Sequence, residues 1–337
     1  MIDVLVAGGG PAGLAAAAHA RLAGLTAVVV EPRTAPVDKA CGEGVMPGGV
    51  AALRALGVAP AGRELRGIRY LDGTRGAEAR FRGRPGLGVR RTALHDALHR
   101  RALALGAEVV TGKVEEVRQT ADSVTAAGIT ARWLIAADGL HSPTRHRLGL
   151  ALPGDARGRY GLRRHFRVPP WSDYVEVHWS GDGEAYVTPV ADDLVGVAFL
   201  SRVRRGYDEH LAAFPALAGV LRGAEATRVR GAGPLRQRVR RRVAGRVLLA
   251  GDAAGYVDAL TGEGVALALA TAEAAVRRVA AGRPERYERD WTLLTRRHRL
   301  LTRALLAAGS RPATARLVVP AACRMPPLFA AAVHALR

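Results

Sequence analysis

Cysteine, lysine and aromatic side chains are all scarce in this 337-residue chain. Its two cysteines, Cys41 and Cys323, are too few for a disulfide framework or a thiolate zinc site, so a reducing, cytoplasmic setting is expected. Lys39 and Lys113 are the only lysines, which makes the formal charge of +20 almost entirely arginine. Aromatics form 5% of the chain, and none interleaves with the dense run Arg236, Arg238, Arg240, Arg241 and Arg242. A single-strand nucleic-acid surface needs such stacking platforms, so nucleic acid is not an expected partner. Long apolar runs are missing as well: residues 4–30 are broken by Gly8-Gly9-Gly10-Pro11, which spoils a membrane span. No early stretch joins a basic start, an apolar run and a small-residue cleavage site. His95, His99, His141 and His165 lack metal-ligand spacing; each reads as a surface or helix histidine, and no metal is expected.

What is abundant is alanine, leucine, valine and glycine, with 49% of residues hydrophobic and 40 glycines. Disorder is excluded, and the length suits two domains or one elaborated α/β domain. Residues 2–7 read as a buried parallel strand, 11–24 as an alanine-rich helix and 26–31 as a second buried strand. This β-α-β start predicts a doubly wound sheet. Helices are expected at 47–56 and 92–105, a weak antiparallel pair at 66–82, and short strands across 107–135. Residues 158–200 alternate apolar and polar, as an antiparallel sheet does. A buried strand returns at 246–251 and a helix at 262–280; the remainder reads as basic helix interrupted by Pro312, Pro320 and Pro326-Pro327.

The chemistry begins with Gly8-Gly9-Gly10-Pro11-Ala12-Gly13, a G-x-G-x-x-G between strand and helix. Gly8 permits the tight turn, Gly10 lets backbone approach a pyrophosphate, and Gly13 lets the helix pack on the strand. The helix N-terminus, with Pro11 and Ala12, then faces the phosphate charge. Glu31 closes the next strand 21 residues after Gly10, where a carboxylate accepts ribose hydroxyls. A dinucleotide is therefore the expected ligand. Two further pairs, Asp138-Gly139 and Gly251-Asp252, each follow a buried strand.

Together these three motifs resemble the signatures of the p-hydroxybenzoate hydroxylase-like flavoprotein superfamily, from Asp3 to about Leu269. The resemblance implies FAD, with Asp252 on the ribityl chain and Asp138-Gly139 near the pyrophosphate. It also implies Arg33, Arg91 and Val114 as cofactor contacts and NAD(P)H as electron donor. Lys39-Ala40-Cys41-Gly42-Glu43-Gly44 and Leu260-Thr261-Gly262-Glu263-Gly264 are similar to segments of the geranylgeranyl reductase-like branch. Physically, Gly42, Gly262 and Gly264 let backbone and a helix start approach a flat ring, where N–H groups stabilise negative charge. Tyr186-Val187-Thr188-Pro189 resembles a reduced form of that branch's aromatic-Pro stretch, making Tyr186 and Pro189 expected pocket residues.

The implied fold is a Rossmann-like FAD-binding domain (1–62, 88–155 and 236–285) with an inserted antiparallel substrate sheet (63–87 and 156–235) and a C-terminal helical segment (286–337). Cys41 has two readings, a thiol working beside the flavin or a small residue packed under its loop. Glu43 and Glu263 are the only acids in the two glycine segments, and Cys41 and Glu43 are the expected catalytic residues. The leading function is a monooxygenase acting on an apolar or aromatic metabolite. A reductase of prenyl C=C bonds is the alternative, and a non-catalytic lipid carrier of the same fold is a third. Halogenation is disfavoured, since the Trp-x-Trp-x-Ile-Pro motif is missing. The C-terminal helix is expected to pack on the FAD domain; the alternative sets Leu300, Leu301, Leu305 and Leu306 on an anionic membrane surface, or the basic face against an acidic carrier protein. Oligomeric state is not readable.

Overall fold

Continuous runs of valine, leucine and alanine bury a strand on both faces, as a parallel sheet covered by helices requires. In the computed structural model, which describes all residues except 74, 155–157, 310–311 and 336–337, four such runs and a more exposed edge strand form the parallel part of one eight-stranded sheet. Strand Ile2–Ala7 lies at its centre, parallel to Ala27–Glu31 on one side and Ile129–Ala136 on the other. Glu108–Thr111 and Val247–Leu249 extend it outward, again in parallel. Val4, Leu5, Val6, Leu134, Ile135 and Leu248 are fully buried. Helix Pro11–Leu22 packs on helices Arg91–Ala104 and Gly264–Ala280, and its inward face is alanine, which permits a close approach.

A second sheet has the spatial order Glu225–Ala226, Tyr160–Arg167, Leu194–Ser201, Gly183–Ala191, Tyr174–Ser180, Gly67–Leu71, Gly76–Arg80. All its pairings are antiparallel except Tyr174–Ser180 with Gly67–Leu71. Period-2 alternation divides its side chains. Ala185, Val187, Val197 and Phe199 face the short helices Tyr207–Ala212 and Pro215–Val220, while Tyr186, Ala198 and Leu200 face the opposite way, toward a cavity between the sheets.

The C-terminal segment is divided between the two layers. Helix Tyr287–Gly309 packs on Gly264–Ala280, anchored by the Tyr287 hydroxyl donating to the Leu249 carbonyl at 2.8 Å. Helices Pro312–Arg324 and Pro326–His334 pack instead on the antiparallel sheet, against Gly67–Leu71, Gly76–Arg80 and Tyr174–Ser180. The expectation that the whole segment rests on the FAD domain is thus corrected for its last part. Pro320 does not interrupt a helix; it sits inside Pro312–Arg324, where burial of Val319 and Ala322 against the sheet outweighs one lost backbone donor. Among the described residues no single helix is long and apolar enough to cross a membrane.

Candidate active site

All three glycine-rich segments converge on one cavity of about 680 Å³ between the two sheets. At its nucleotide end, Gly8 has φ +96°, and a Cβ there would meet the Ala137 carbonyl at 2.7 Å. Gly13 is tighter: its Cβ would lie 1.8 Å from the Gly8 carbonyl oxygen, so the helix and the strand touch backbone to backbone. Gly8, Gly10, Pro11 and Ala12 line the cavity, whereas Gly13 and Gly251 do not; Gly251 has φ +58° and presses on Ala12. Those two glycines shape the cradle without facing its contents.

Polar groups ring the same end. Glu31 accepts from the Gly9 N–H at 2.7 Å and from Arg33 Nε at 2.6 Å. Burial pushes the Glu31 carboxyl up, but the bonds from Arg33 and Gly9 outweigh it and hold it below the ordinary glutamate value. Asp138 takes the Thr144 N–H at 3.0 Å on one oxygen, while its other oxygen is buried without a partner among the described residues. Asp252 is raised by burial, with the charges of Lys39, Arg91 and Arg145 opposing. Arg91 is 8% exposed, and among the described residues its guanidinium makes no hydrogen bond. Val114, Gly139, Gly42 and Lys39 complete this wall. An unpaired buried guanidinium, an orphaned carboxylate oxygen and backbone with no room for side chains fit a pyrophosphate and a sugar chain. Arg91 and the Gly8–Ala12 turn would hold the FAD pyrophosphate, Glu31 its ribose and Asp252 its ribityl chain.

Next along the cavity comes the Cys41–Gly44 loop. Glu43 adopts φ +59°, rare for a residue with a side chain. Its carboxylate explains how that conformation is held. Glu43 Oε2 lies 2.6 Å from His165 Nε2, and Oε1 accepts the Arg91 backbone N–H at 2.8 Å. Arg163 Nη1 donates to His165 Nδ1 at 3.1 Å, and since arginine only donates, Nδ1 must be the accepting nitrogen. His165 is therefore the Nε2–H tautomer, donating to Glu43. Arg163 continues to Asp38, so a buried chain ties the loop to strand Tyr160–Arg167. Reading His165 as a surface or helix histidine is corrected: it is fully buried on a strand. A lone histidine in an alternating strand carries no sign of which face is covered, so the sequence held no usable signal. Cys41 lines the cavity, its sulfur 3.4 Å from the Glu43 N–H; burial pushes the thiol up against the pull of Arg91, keeping it protonated.

The opposite wall repeats the device. Gly262, at φ +68°, and Gly264 line the cavity, and Glu263 between them is buried against His298 Nδ1 at 2.9 Å. Thr261 Oγ1 lies 3.1 Å from the same nitrogen, pinning the turn to helix Tyr287–Gly309. Tyr186 roofs this region and donates to the Leu260 carbonyl at 3.0 Å. Pro189 does not line the cavity, because Tyr186 and Thr188 take the cavity-facing positions of its strand and alternation turns residue 189 to the other face; its carbonyl packs on Gly88. The far end is apolar, walled by Ile68, Tyr70, Val177, Leu200, Leu301 and Phe329. Leu301 and Leu305 point inward here and Leu306 packs on the core, so of the four proposed membrane leucines only Leu300 is exposed. Among the described residues no cluster of three or more His, Cys, Asp or Glu is placed to hold a metal ion.

A Rossmann-type cradle facing an antiparallel sheet across one cavity defines the flavoprotein class. Residues 1–285 match the family described as FAD binding domain. The chain belongs to that FAD-binding family. It is 36% identical over 165 residues to the menaquinone reductase of Mycobacterium tuberculosis, an alignment covering 44% of this chain and 40% of that protein. Against the menaquinone reductase of Mycolicibacterium smegmatis it is 28% identical, covering 99% of this chain and 91% of the relative. Its fold matches the crystal structure of a geranylgeranyl bacteriochlorophyll reductase-like protein from Thermoplasma acidophilum with TM-score 0.79 at 22% identity, over 95% of this chain and 90% of that one.

Proposed function

We propose that this protein is an FAD-dependent reductase that adds hydrogen across a C=C bond of an elongated, apolar, isoprenoid-like substrate, using NAD(P)H as donor. The observation that carries this reading is the shape of the cavity: a polar, backbone-built end for a dinucleotide opens into an aliphatic and aromatic chamber. Such a chamber suits a hydrocarbon chain better than a polar metabolite. The names of the mycobacterial relatives agree with a reductase on a polyprenyl compound.

When bound and reduced, FAD supplies the hydride. The chain's own residues supply position and a proton. Gly42, Gly262 and Gly264 admit the flat ring between two turns, and the Glu43–His165 and Glu263–His298 pairs hold those turns rigid. Cys41 lines the cavity with its thiol raised by burial, and in this reading it gives a proton to the carbon that does not receive the hydride. Leu301, Leu305 and Phe329 grip the hydrocarbon tail.

Anaerobic turnover of the FAD-loaded protein with menaquinone and geranylgeranyl compounds tests the reading. A product heavier by two hydrogens supports it. A product carrying an added oxygen atom, formed only in air, would overturn it in favour of oxygenation. A Cys41→Ala variant that binds FAD and turns over at the wild-type rate would remove Cys41 from the proton step.

A further inference from the structure

The arginine-rich run at 236–242 is not used by the flavin cavity, yet the fold gives it a cavity of its own. A second cleft of about 260 Å³ lies between this run and helix Tyr287–Gly309. It shares a wall with the flavin cavity at Asp252, Tyr256, Gly264 and Ala268. We propose that this cleft is a binding site for a phosphate-bearing anion, separate from the site for FAD.

Five guanidinium groups line it: Arg236, Arg238, Arg242, Arg299 and Arg303. Among the described residues Asp252 alone lines it as an acid, and the nearby Glu288 is already taken by Arg242 at 2.9 Å. Arg242 is also the fixed member, donating to the Ala254 carbonyl at 3.2 Å and lying over the Trp291 ring at 3.6 Å from its centroid. Arg299 shares that ring at 5.2 Å and is only partly exposed. Among the described residues, the guanidinium groups of Arg238, Arg299 and Arg303 make no hydrogen bond and no ion pair. Other arginines of this chain do meet acids, as Arg159 meets Glu184 and Arg278 meets Asp290. Like charges facing one concavity repel one another, and burial together with Arg303 and Arg242 makes the charge of Arg299 costly. A ligand with two or three negative oxygens relieves that repulsion and matches the planar fork of the guanidinium better than a single carboxylate does. His298 adds no negative charge to the wall; its Nδ1 is engaged by Glu263 and Thr261.

Two sources share this chemistry: the phosphates of a dinucleotide reductant, and an anionic lipid headgroup. The adjacency to Asp252 and the Gly264 helix start favours the dinucleotide, because that wall separates the cleft from the flavin by one layer of residues.

The test is calorimetry on the FAD-loaded full chain with inorganic pyrophosphate and adenosine 2′,5′-bisphosphate, alongside sedimentation with phosphatidylglycerol vesicles. Flavin absorbance during the titration confirms that FAD is not displaced. Replacing two charged donors, Arg299→Gln with Arg303→Gln, should weaken pyrophosphate by about a hundredfold, roughly tenfold for each guanidinium. Arg100→Gln, on the exposed face of helix Arg91–Ala104, should leave it unchanged. Arg303→Glu alone provides a second reading if the double variant loses its flavin. Nucleotide binding that depends on Arg299 and Arg303 supports the dinucleotide source. Vesicle binding with the same dependence, and no nucleotide binding, supports the lipid headgroup. No pyrophosphate binding by the wild type, or equal binding by the arginine variants, overturns the site.

Discussion

At the nucleotide end of the cavity the ligand surface is backbone, and at the far end it is side chain. The first is built from glycines whose own conformation and contacts are local: Gly8 and Gly10 lie in the turn between a strand and a helix, and Gly13 in that helix's first turn. The second is assembled from five separate elements of the chain, with Ile68 and Tyr70, Val177, Leu200, Leu301 and Phe329 meeting across the sheet and the C-terminal helices. A backbone-built surface tolerates almost no substitution but binds any ligand of the right outline. A side-chain surface changes one residue at a time, which is how one cofactor cradle serves many substrates.

The sharpest way to break that contrast is at Gly13. A Gly13→Val variant drives a side chain into the Gly8 carbonyl, and two backbones cannot both yield. Expression should give no folded, yellow protein; a soluble flavin-bound variant would show the cradle to be pliable. His165→Phe comes next. It leaves the Glu43 carboxylate buried and without its main partner, a loss of about 3 kcal/mol by analogy with other broken buried pairs. The urea midpoint reports it, and an unchanged midpoint would show that the loop is held by backbone alone.

Asp252→Ala separates binding from stability. Losing a charge-assisted bond to the ribityl chain should weaken FAD by about ten- to a hundredfold, roughly 1.5–3 kcal/mol. The apoprotein should melt no lower, because burial already disfavours this carboxylate. A lower apoprotein melting temperature would give Asp252 a structural role.

The side-chain end offers a pH test. Burial lifts the Glu184 carboxyl to about 7, against the opposing charge of Arg159. The unfolded chain gives up that proton near 4.5, so between about pH 4.5 and 7 the folded state holds more protons and this group removes stability as pH rises. Glu184→Gln should match wild type near pH 4 and gain on it up to about pH 7, with no further gain beyond. Parallel melting curves from pH 4 to 8 would rule out this titration. The smallest effect is expected at Leu317 and Leu328, which are about three-fifths exposed among basic neighbours. Converting both to Gln should reduce sedimentation with anionic vesicles several-fold while flavin content stays constant; equal sedimentation would discard peripheral membrane contact through these helices.

Several features of the site are written in adjacent residues. The first fingerprint, Asp138-Gly139, Gly251-Asp252 and the turns at Cys41–Gly44 and Gly262–Gly264 all arrive at one cavity, as three glycine-rich segments aimed at one flat ligand require. The helical and strand periodicities likewise located the main elements to within a few residues, since burial on one face imposes its period directly on the chain. Other features had no local mark. His298 lies on a strongly basic helix and reads as solvated until Glu263 meets it from 35 residues away. Pro189 directly follows Thr188, which lines the cavity with Tyr186, and it stays out of the wall because its strand position faces the other way.

By itself, then, the sequence determined where the backbone can turn tightly and approach a ligand, because glycine's freedom depends on nothing beyond its own missing Cβ. It also determined the parallel core, whose strands are apolar on both faces. Only the tertiary structure decided which acids acquire partners: Glu43 and His165 stand 122 residues apart and meet because two sheets close on one cavity. It decided equally that Leu301 and Leu305 face a cavity while Leu300 faces solvent, and that the arginines near residue 240 surround a cleft. Side-chain partnership is set by distances that no short stretch of chain contains, whereas backbone freedom is carried by each residue alone.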